Sequence, residues 1–412
     1  MHSTPPPNRS RWETAGVVAF VVMAVGIAGR LVVERLRHGH VQRQNVWDGV
    51  FAPAAEAFVA GADMYTETSG FRYPPLAAAL MVPFTWLGPL VGSIVWRWVL
   101  LLGLGLAVRN CLRAGFPFVM TSRERGVFWL LLVPAVIGSA NIGQPNTLIL
   151  GGMLAATLAA LQGRYGAASL GVLGNTTLKV YPFAHGLVLA ALRPRLIPYL
   201  VLGLGLVLAL PLLLQRPGYV LGQYQTLIDM LANEDRTHDV GQAFRAYRDL
   251  RLLGKAVNVP ISDSLFRLLQ VVGGAGIAVV CLWLQRRRTQ APVVFQHALA
   301  LTICWCLLLG PATERVTYAL LGPAIAWPLL QDWRLGGARA CWPWLLVNGL
   351  YLGDHLVPSL SRQLQEQQPW TRCMLPMTTL LATGLLLLRA LRDGQHAPRD
   401  GMRTMESQPT AT

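Results

Sequence analysis

Lys179 is one of only two lysines in a chain that holds 35 Lys plus Arg. It stands in Asn175-Thr176-Thr177-Leu178-Lys179-Val180-Tyr181-Pro182, within an otherwise apolar stretch. A charge at membrane depth either snorkels to the interface or marks a site. An ammonium is a compact point charge that suits a phosphate, and arginine's planar fork does not replace it. A second polar run, Asn141-Ile142-Gly143-Gln144-Pro145-Asn146, interrupts another apolar stretch. Gln144 and Asn146 are costly at that depth unless they are paired or face a cavity, and three amides are more than a tight turn needs.

Asp48 opens a third group. After it Val50, Ala54, Ala57 and Phe58 recur at helical spacing, the pattern of an amphipathic helix lying on a membrane surface. Asp48 is then either the N-cap of that helix or a carboxylate at the lipid–water boundary, placed to take a proton. Asp63 suits the turn before Tyr65. Arg72 and Tyr73 precede Pro74-Pro75, a helix-start signal, at a depth where an arginine also snorkels. Late in the chain Glu314, Arg315 and Tyr318 follow Pro311 between two apolar runs. Glu314 and Arg315 are either a self-neutralising pair at a span end or site residues. Asp354 and His355, near the end of another span, are similar but less specific. There is no phosphate-binding glycine loop, dinucleotide fingerprint, zinc-protease motif or nucleophile elbow. None of the 6 cysteines forms a CxxC pair, so they read as small apolar residues of the spans.

Only a membrane bundle can position these groups. Of the 412 residues, 53% are hydrophobic and 13% charged, where a soluble protein carries roughly twice that charged fraction. Apolar stretches long enough to span recur at 15–33, 74–90, 92–110, 126–142, 145–161, 165–190 with an interruption, 196–214, 264–284, 294–310, 315–331, 341–358 and 373–391. That predicts an all-α polytopic membrane protein of about 11–13 transmembrane helices. The first stretch has no cleavage site after it and reads as a retained span. The net charge of +15 comes from arginines at span ends, which is the positive-inside bias and not a nucleic-acid surface. It sets residues 1–14 in the cytoplasm and 34–73 outside, as the first exoplasmic loop. Residues 15–391 form a single membrane domain with a second large loop at 215–263, and 392–412 form a disordered cytoplasmic tail. One conflict remains. Counting spans puts the basic stretch 109–125 outside, so either 74–90 does not fully cross or the positive-inside bias fails locally.

Taken in order, Asp48, then Gly61-Ala62-Asp63-Met64-Tyr65, Tyr73-Pro74-Pro75, Gly143-Gln144-Pro145-Asn146, Lys179-Val180-Tyr181-Pro182 and Pro311 to Tyr318 resemble glycosyltransferase family 87. The likeness runs from about residue 45 to about residue 330. It departs from the family at Gly49 and Phe51, where an aromatic or leucine and a tyrosine are usual, and at Thr317, where a histidine is common. The resemblance implies the GT-C membrane fold and a polyprenyl-phosphate-mannose-dependent α-mannosyltransferase of a bacterial inner (plasma) membrane. It implies a hexose, mannose above all, moved with inversion from a polyprenyl-phosphate donor to a lipid or glycan acceptor at the exoplasmic face. Asp48 matches the position of the family's base. Arg72, Tyr73, Gln144, Asn146, Lys179, Tyr181, Glu314, Arg315 and Tyr318 are the expected donor- and acceptor-binding residues. The leaving group is a monophosphate, so protein cations suffice and no cofactor or metal ligand set is expected, with a divalent ion on Asp48 left open. The alternative is a polytopic transporter or flippase of lipid-linked or small polar substrates, which would carry inverted repeats; none is visible.

Overall fold

A computed structural model describes residues 11–39, 45–66, 69–233, 247–311, 313–356 and 369–395. Among these residues every regular element is helical. Arg9 and most of the expected tail lie outside them. The last helix runs on through Gln395, past the expected start of the tail at 392.

The chain opens with α1 (Arg11–His38). The first loop then holds a π-helical turn, Trp47–Phe51, that runs directly into α2 (Ala52–Ala60). Next come α3 (Pro75–Thr85), α4 (Gly88–Arg113), α5 (Ser122–Ile142), α6 (Asn146–Leu161), α7 (Tyr165–Leu178) and α8 (Pro182–Leu192). They are followed by α9 (Ile197–Leu214), α10 (Pro217–Asn233), α11 (Leu250–Ala256), α12 (Asp263–Arg286) and α13 (Ala291–Leu309). The last two are α14 (Leu321–Leu356) and α15 (Met374–Gln395). Among the described residues seven helices are long and apolar enough to cross a membrane; α3, α6 and α8 are apolar but shorter. The protein is an all-α, multi-pass membrane protein.

Local chemistry sets the helix ends. Thr121 and Glu124 form a reciprocal capping box at the start of α5. Its other end closes on Gly143 at φ +76°, a left-handed conformation that glycine adopts without strain. Gly336 and Gly337 bend α14 into two arms, and Trp344 Nε1 donates across the bend to Asp332 (3.0 Å). Within the bundle, α13 is the central helix, with Phe295, Ala298, Leu301, Ile303 and Leu307 at most 2% exposed. By contrast α9 turns Val201, Leu202, Leu206 and Leu213 outward, the surface that lipid requires.

Arginine contacts mark the two ends of the bundle. At one end Arg125 of α5 meets Glu13 of α1 (2.8 Å), Arg334 of α14 meets Glu124 of α5, and Arg389 of α15 meets Asp332 of α14 (2.6 Å). At the other, Arg30 of α1 donates to the carbonyl of Asn141 in α5 (3.1 Å). The basic stretch 109–125 therefore lies at the N-terminal end of α1, and the conflict in span counting disappears. The cause is α3, where a crossing was expected over 74–90. The helix stops at Thr85 and is about 16 Å long, half the hydrocarbon thickness. Both ends stay in the first-loop aromatic cluster, with Tyr73 5.1 Å from Phe51 and Phe84 5.9 Å from Trp47.

The second loop covers the first. Gln215 Nε2 donates to the Phe58 carbonyl (2.9 Å) and the Tyr219 hydroxyl to that of Ala62 (2.7 Å), while Gln223 Oε1 accepts from the Met64 N–H (3.0 Å).

α1 and α5 pack closely where Gly126 meets Trp12. A Cβ on Gly126 would lie 2.3 Å from the Trp12 carbonyl, whereas one on Gly138 of the same helix would meet nothing within 4 Å. Small residues at such a crossing let membrane helices approach. Gly126→Leu should therefore lower stability by about 2 kcal/mol or more, read as an earlier thermal unfolding in detergent. Gly138→Leu should unfold like the parent; equal effects at both sites would contradict this packing.

Candidate active site

Asp48 is the second residue of the π-helical turn, between the fully buried Trp47 and Phe51. The turn has no side-chain cap, so Asp48 is not an N-cap. Its Oδ2 accepts from Asn45 Nδ2 (2.8 Å). The side chain reaches the surface but is walled on one side by protein. That partial burial raises its carboxyl above the usual range, against the pull of Arg97, the Asn45 hydrogen bond and Arg35. Asp63 serves the turn, its Oδ1 accepting from the Tyr65 N–H (3.0 Å).

Arg97 was not anticipated. It sits inside α4 at 1% exposure, in the apolar stretch read as 92–110. Its Nη2 donates to Asn45 Oδ1 (3.0 Å) and, with Nε, to the Asn141 carbonyl (3.1 and 3.2 Å). Nη1 donates to the Ser93 carbonyl (3.0 Å) and hydroxyl (2.5 Å). One guanidinium thus joins the Asp48 loop to the break between α5 and α6. The rule that singled out Lys179, an ionisable group inside an apolar run, applies equally to Arg97 and would have found it.

The break itself is built for close approach. A Cβ on Gly143 would press within 3.1 Å of the Arg97 guanidinium carbon, and the Gly143 carbonyl accepts from Trp96 Nε1 (2.9 Å). Beyond it Gln144 Nε2 donates to Glu314 Oε2 (3.0 Å), and the buried Gln144 Oε1 has no hydrogen-bond partner among the described residues. Asn146 is fully buried; its Oδ1 accepts from the Tyr181 hydroxyl (3.4 Å), and its Nδ2 has no partner among the described residues.

Lys179 caps the end of α7 in extended backbone, before Pro182 starts α8. Asn175 Nδ2 locks that end to α6 by donating to the Ile149 carbonyl (2.8 Å), in space left by Gly152. The Lys179 ammonium lies 5.7 Å from the centre of the Tyr181 ring and within electrostatic reach of Glu314. It makes no hydrogen bond or ion pair with any described residue. Tyr73 also faces Glu314. Burial, then that carboxylate, push its phenol well above its ordinary range, so it stays a neutral hydroxyl. Arg72 Nη1 donates to the Phe71 carbonyl (3.2 Å).

Glu314 and Arg315 do not neutralise each other. Glu314 turns to Gln144, whereas Arg315 Nε donates to Asp354 Oδ2 (2.7 Å). Arg248 approaches the other oxygen of Asp354 (3.6 Å). The Tyr318 hydroxyl is used on the Arg248 carbonyl (2.6 Å), and the Tyr318 carbonyl accepts from Tyr351 (2.8 Å). Tyr318 and Arg315 thus brace the segment that presents Glu314. Thr317, where the histidine was missing, is fully buried and its hydroxyl has no hydrogen-bond partner among the described residues.

Together these contacts form one polar chain, from Asp48 through Asn45, Arg97, the α5–α6 break and Gln144 to Glu314, with Lys179, Tyr73 and Tyr181 around that carboxylate. Among the described residues no group of three His, Cys, Asp or Glu side chains is gathered to hold a metal ion. The arrangement offers a carboxylate, an ammonium without a hydrogen bond or ion pair to any described residue, and buried amides, which suits transfer of a hydroxylated group away from an anion. No curated protein matches the chain. Residues 71–311 match glycosyltransferase family 87, a span that holds Arg72, Tyr73, Gln144, Asn146, Lys179 and Tyr181 and leaves Asp48 and Glu314 outside it. With more than half of the 412 residues matched on a multi-pass helical bundle, the chain belongs to glycosyltransferase family 87 and is a membrane glycosyltransferase.

Proposed function

We propose that this enzyme moves a hexose, mannose by family resemblance, from a polyprenyl-phosphate donor to a lipid or glycan acceptor at the exoplasmic face of a bacterial cell membrane. The observation that carries the reading is Lys179. An ammonium held at membrane depth, with no hydrogen bond or ion pair from the described protein, calls for an anion, and the donor's phosphate is one already at the membrane surface. Family membership removes the ground for a transporter.

In this reading the acceptor hydroxyl oxygen attacks the anomeric carbon and the bond from that carbon to the phosphate oxygen breaks. Asp48 takes the hydroxyl proton. The bonding pair leaves with the lipid phosphate, whose growing charge Lys179 stabilises. A single displacement inverts the anomeric centre. Glu314, Gln144, Tyr73 and Asn146 supply acceptors and donors for sugar hydroxyls.

Three outcomes follow. A cysteine at Ser69 should react with an impermeant thiol reagent on intact spheroplasts, against a silent background because all six native cysteines are buried; labelling only after lysis would overturn the orientation. Lys179→Ala should weaken binding of a polyprenyl-phosphate sugar by roughly 10- to 100-fold, the loss of one charge-assisted hydrogen bond. Lys179→Arg should restore part of it, and unchanged affinity in Lys179→Ala would make Lys179 a snorkelling residue. Asp48→Asn keeps the shape and the hydrogen bond to Asn45 but removes basicity. Turnover in detergent should fall roughly 100-fold or more with thermal unfolding unchanged, and near-normal turnover would eliminate Asp48 as the base.

A further inference from the structure

Arg97 carries a charge that no carboxylate among the described residues touches directly. Its hydrogen-bond partners are the Ser93 carbonyl and hydroxyl, the Asn141 carbonyl and the Asn45 amide oxygen, all neutral. The carboxylates within electrostatic reach are Asp48 and Glu34. Glu34 is already paired with Arg30 at 2.5 Å. Asp48 is therefore left as the counter-charge of a guanidinium buried at 1% exposure.

The link between them has a direction. A guanidinium only donates, so the oxygen of the Asn45 amide must face Arg97. That oxygen also accepts from the Trp47 N–H (3.1 Å). With its oxygen held by two donors, the amide has only its NH2 to offer Asp48, and it does so at 2.8 Å. An NH2 group donates, so it favours the carboxylate over the carboxylic acid. It also engages one oxygen only. Asp48 Oδ1 makes no hydrogen bond with a described residue and is the atom left to receive a proton.

We propose that Arg97, acting through Asn45, is a positioning residue that aims Asp48 and keeps it ionised for catalysis. This rests on the reading of Asp48 as the base. The groups facing that carboxylate are Asn45 from its own loop, Arg97 from α4 and Arg35 from α1, with the Arg30–Glu34 pair next to Arg97. Losing Asn45 or the charge at Arg97 removes support for the ionised form. Asp48 would then bind its proton at higher pH, and the rate would fall off earlier as the pH drops.

The test is the pH profile of kcat/KM in the purified full-length enzyme. Asn45→Ala leaves Arg97 its bonds to Ser93 and Asn141. It should move the acidic limb upward by on the order of one pH unit and lower kcat, with the donor KM within about twofold. Arg97→Lys keeps the charge and should move the limb less than Arg97→Met. Unfolding curves accompany each variant. If Arg97→Met does not fold, Asn45→Ala decides alone. An unmoved limb in folded Asn45→Ala, or a loss confined to KM, would overturn the positioning role and leave Asp48 as base. A limb that persists in the residual activity of Asp48→Asn would overturn both.

Discussion

A guanidinium taken out of water must find acceptors for its donors or the fold carries the cost. Arg97 meets this demand with neutral groups drawn from three places: its own helix, the end of α5 and the first loop. Those contacts fix the distances that matter. The end of α5 cannot drift from α4, and the loop bearing Asp48 cannot drift from either. Glycine at 143 is required twice, by its positive φ and by the guanidinium pressed against it. The carbonyls at a helix C-terminus carry partial negative charge, and at Asn141 they meet Arg30 as well as Arg97. A burial that would be unfavourable alone becomes the joint on which the site is assembled.

A second joint lies across the site. Arg315 and Arg248 close on Asp354, and Tyr318 and Tyr351 tie the same segment through backbone carbonyls. The short segment after α13 is thereby held from behind, and Glu314 projects forward to Gln144. Two neighbours in sequence take opposite tasks, because one side chain points into the site and the next into its support.

Much of this was legible in the sequence, and the misses have physical causes. The helical class, the breaks at Gly143 and Lys179 and their amides follow from the cost of polar groups in lipid, which residue types reveal directly. The span over 74–90 was misjudged because hydropathy counts apolar length, and α3 is apolar without being long. That one helix reverses every later orientation by simple counting. Asp48 suited an N-cap because local propensity is blind to an Asn45 amide held in place by Arg97. The pairing of Glu314 with Gln144 instead of Arg315 depends on side-chain direction in a short irregular segment, which spacing alone does not encode.

The shortness of α6 and α7 has a consequence for the bilayer. Sixteen and fourteen helical residues extend about 24 Å and about 21 Å, against a hydrocarbon thickness of about 30 Å. Their shared turn, Gln162 to Arg164, is exposed and polar, so it belongs in water at one interface. Their other ends, at Asn146 and Lys179, then stop several ångströms short of the opposite headgroups. On the proposed reading, a lipid phosphate drawn to that depth would sink below its neighbours while its chain stays in oil. Mismatch of this kind is ordinarily relieved by deforming the membrane; here Asn146, Asn175 and Tyr181 bring amides and a hydroxyl to the two short ends.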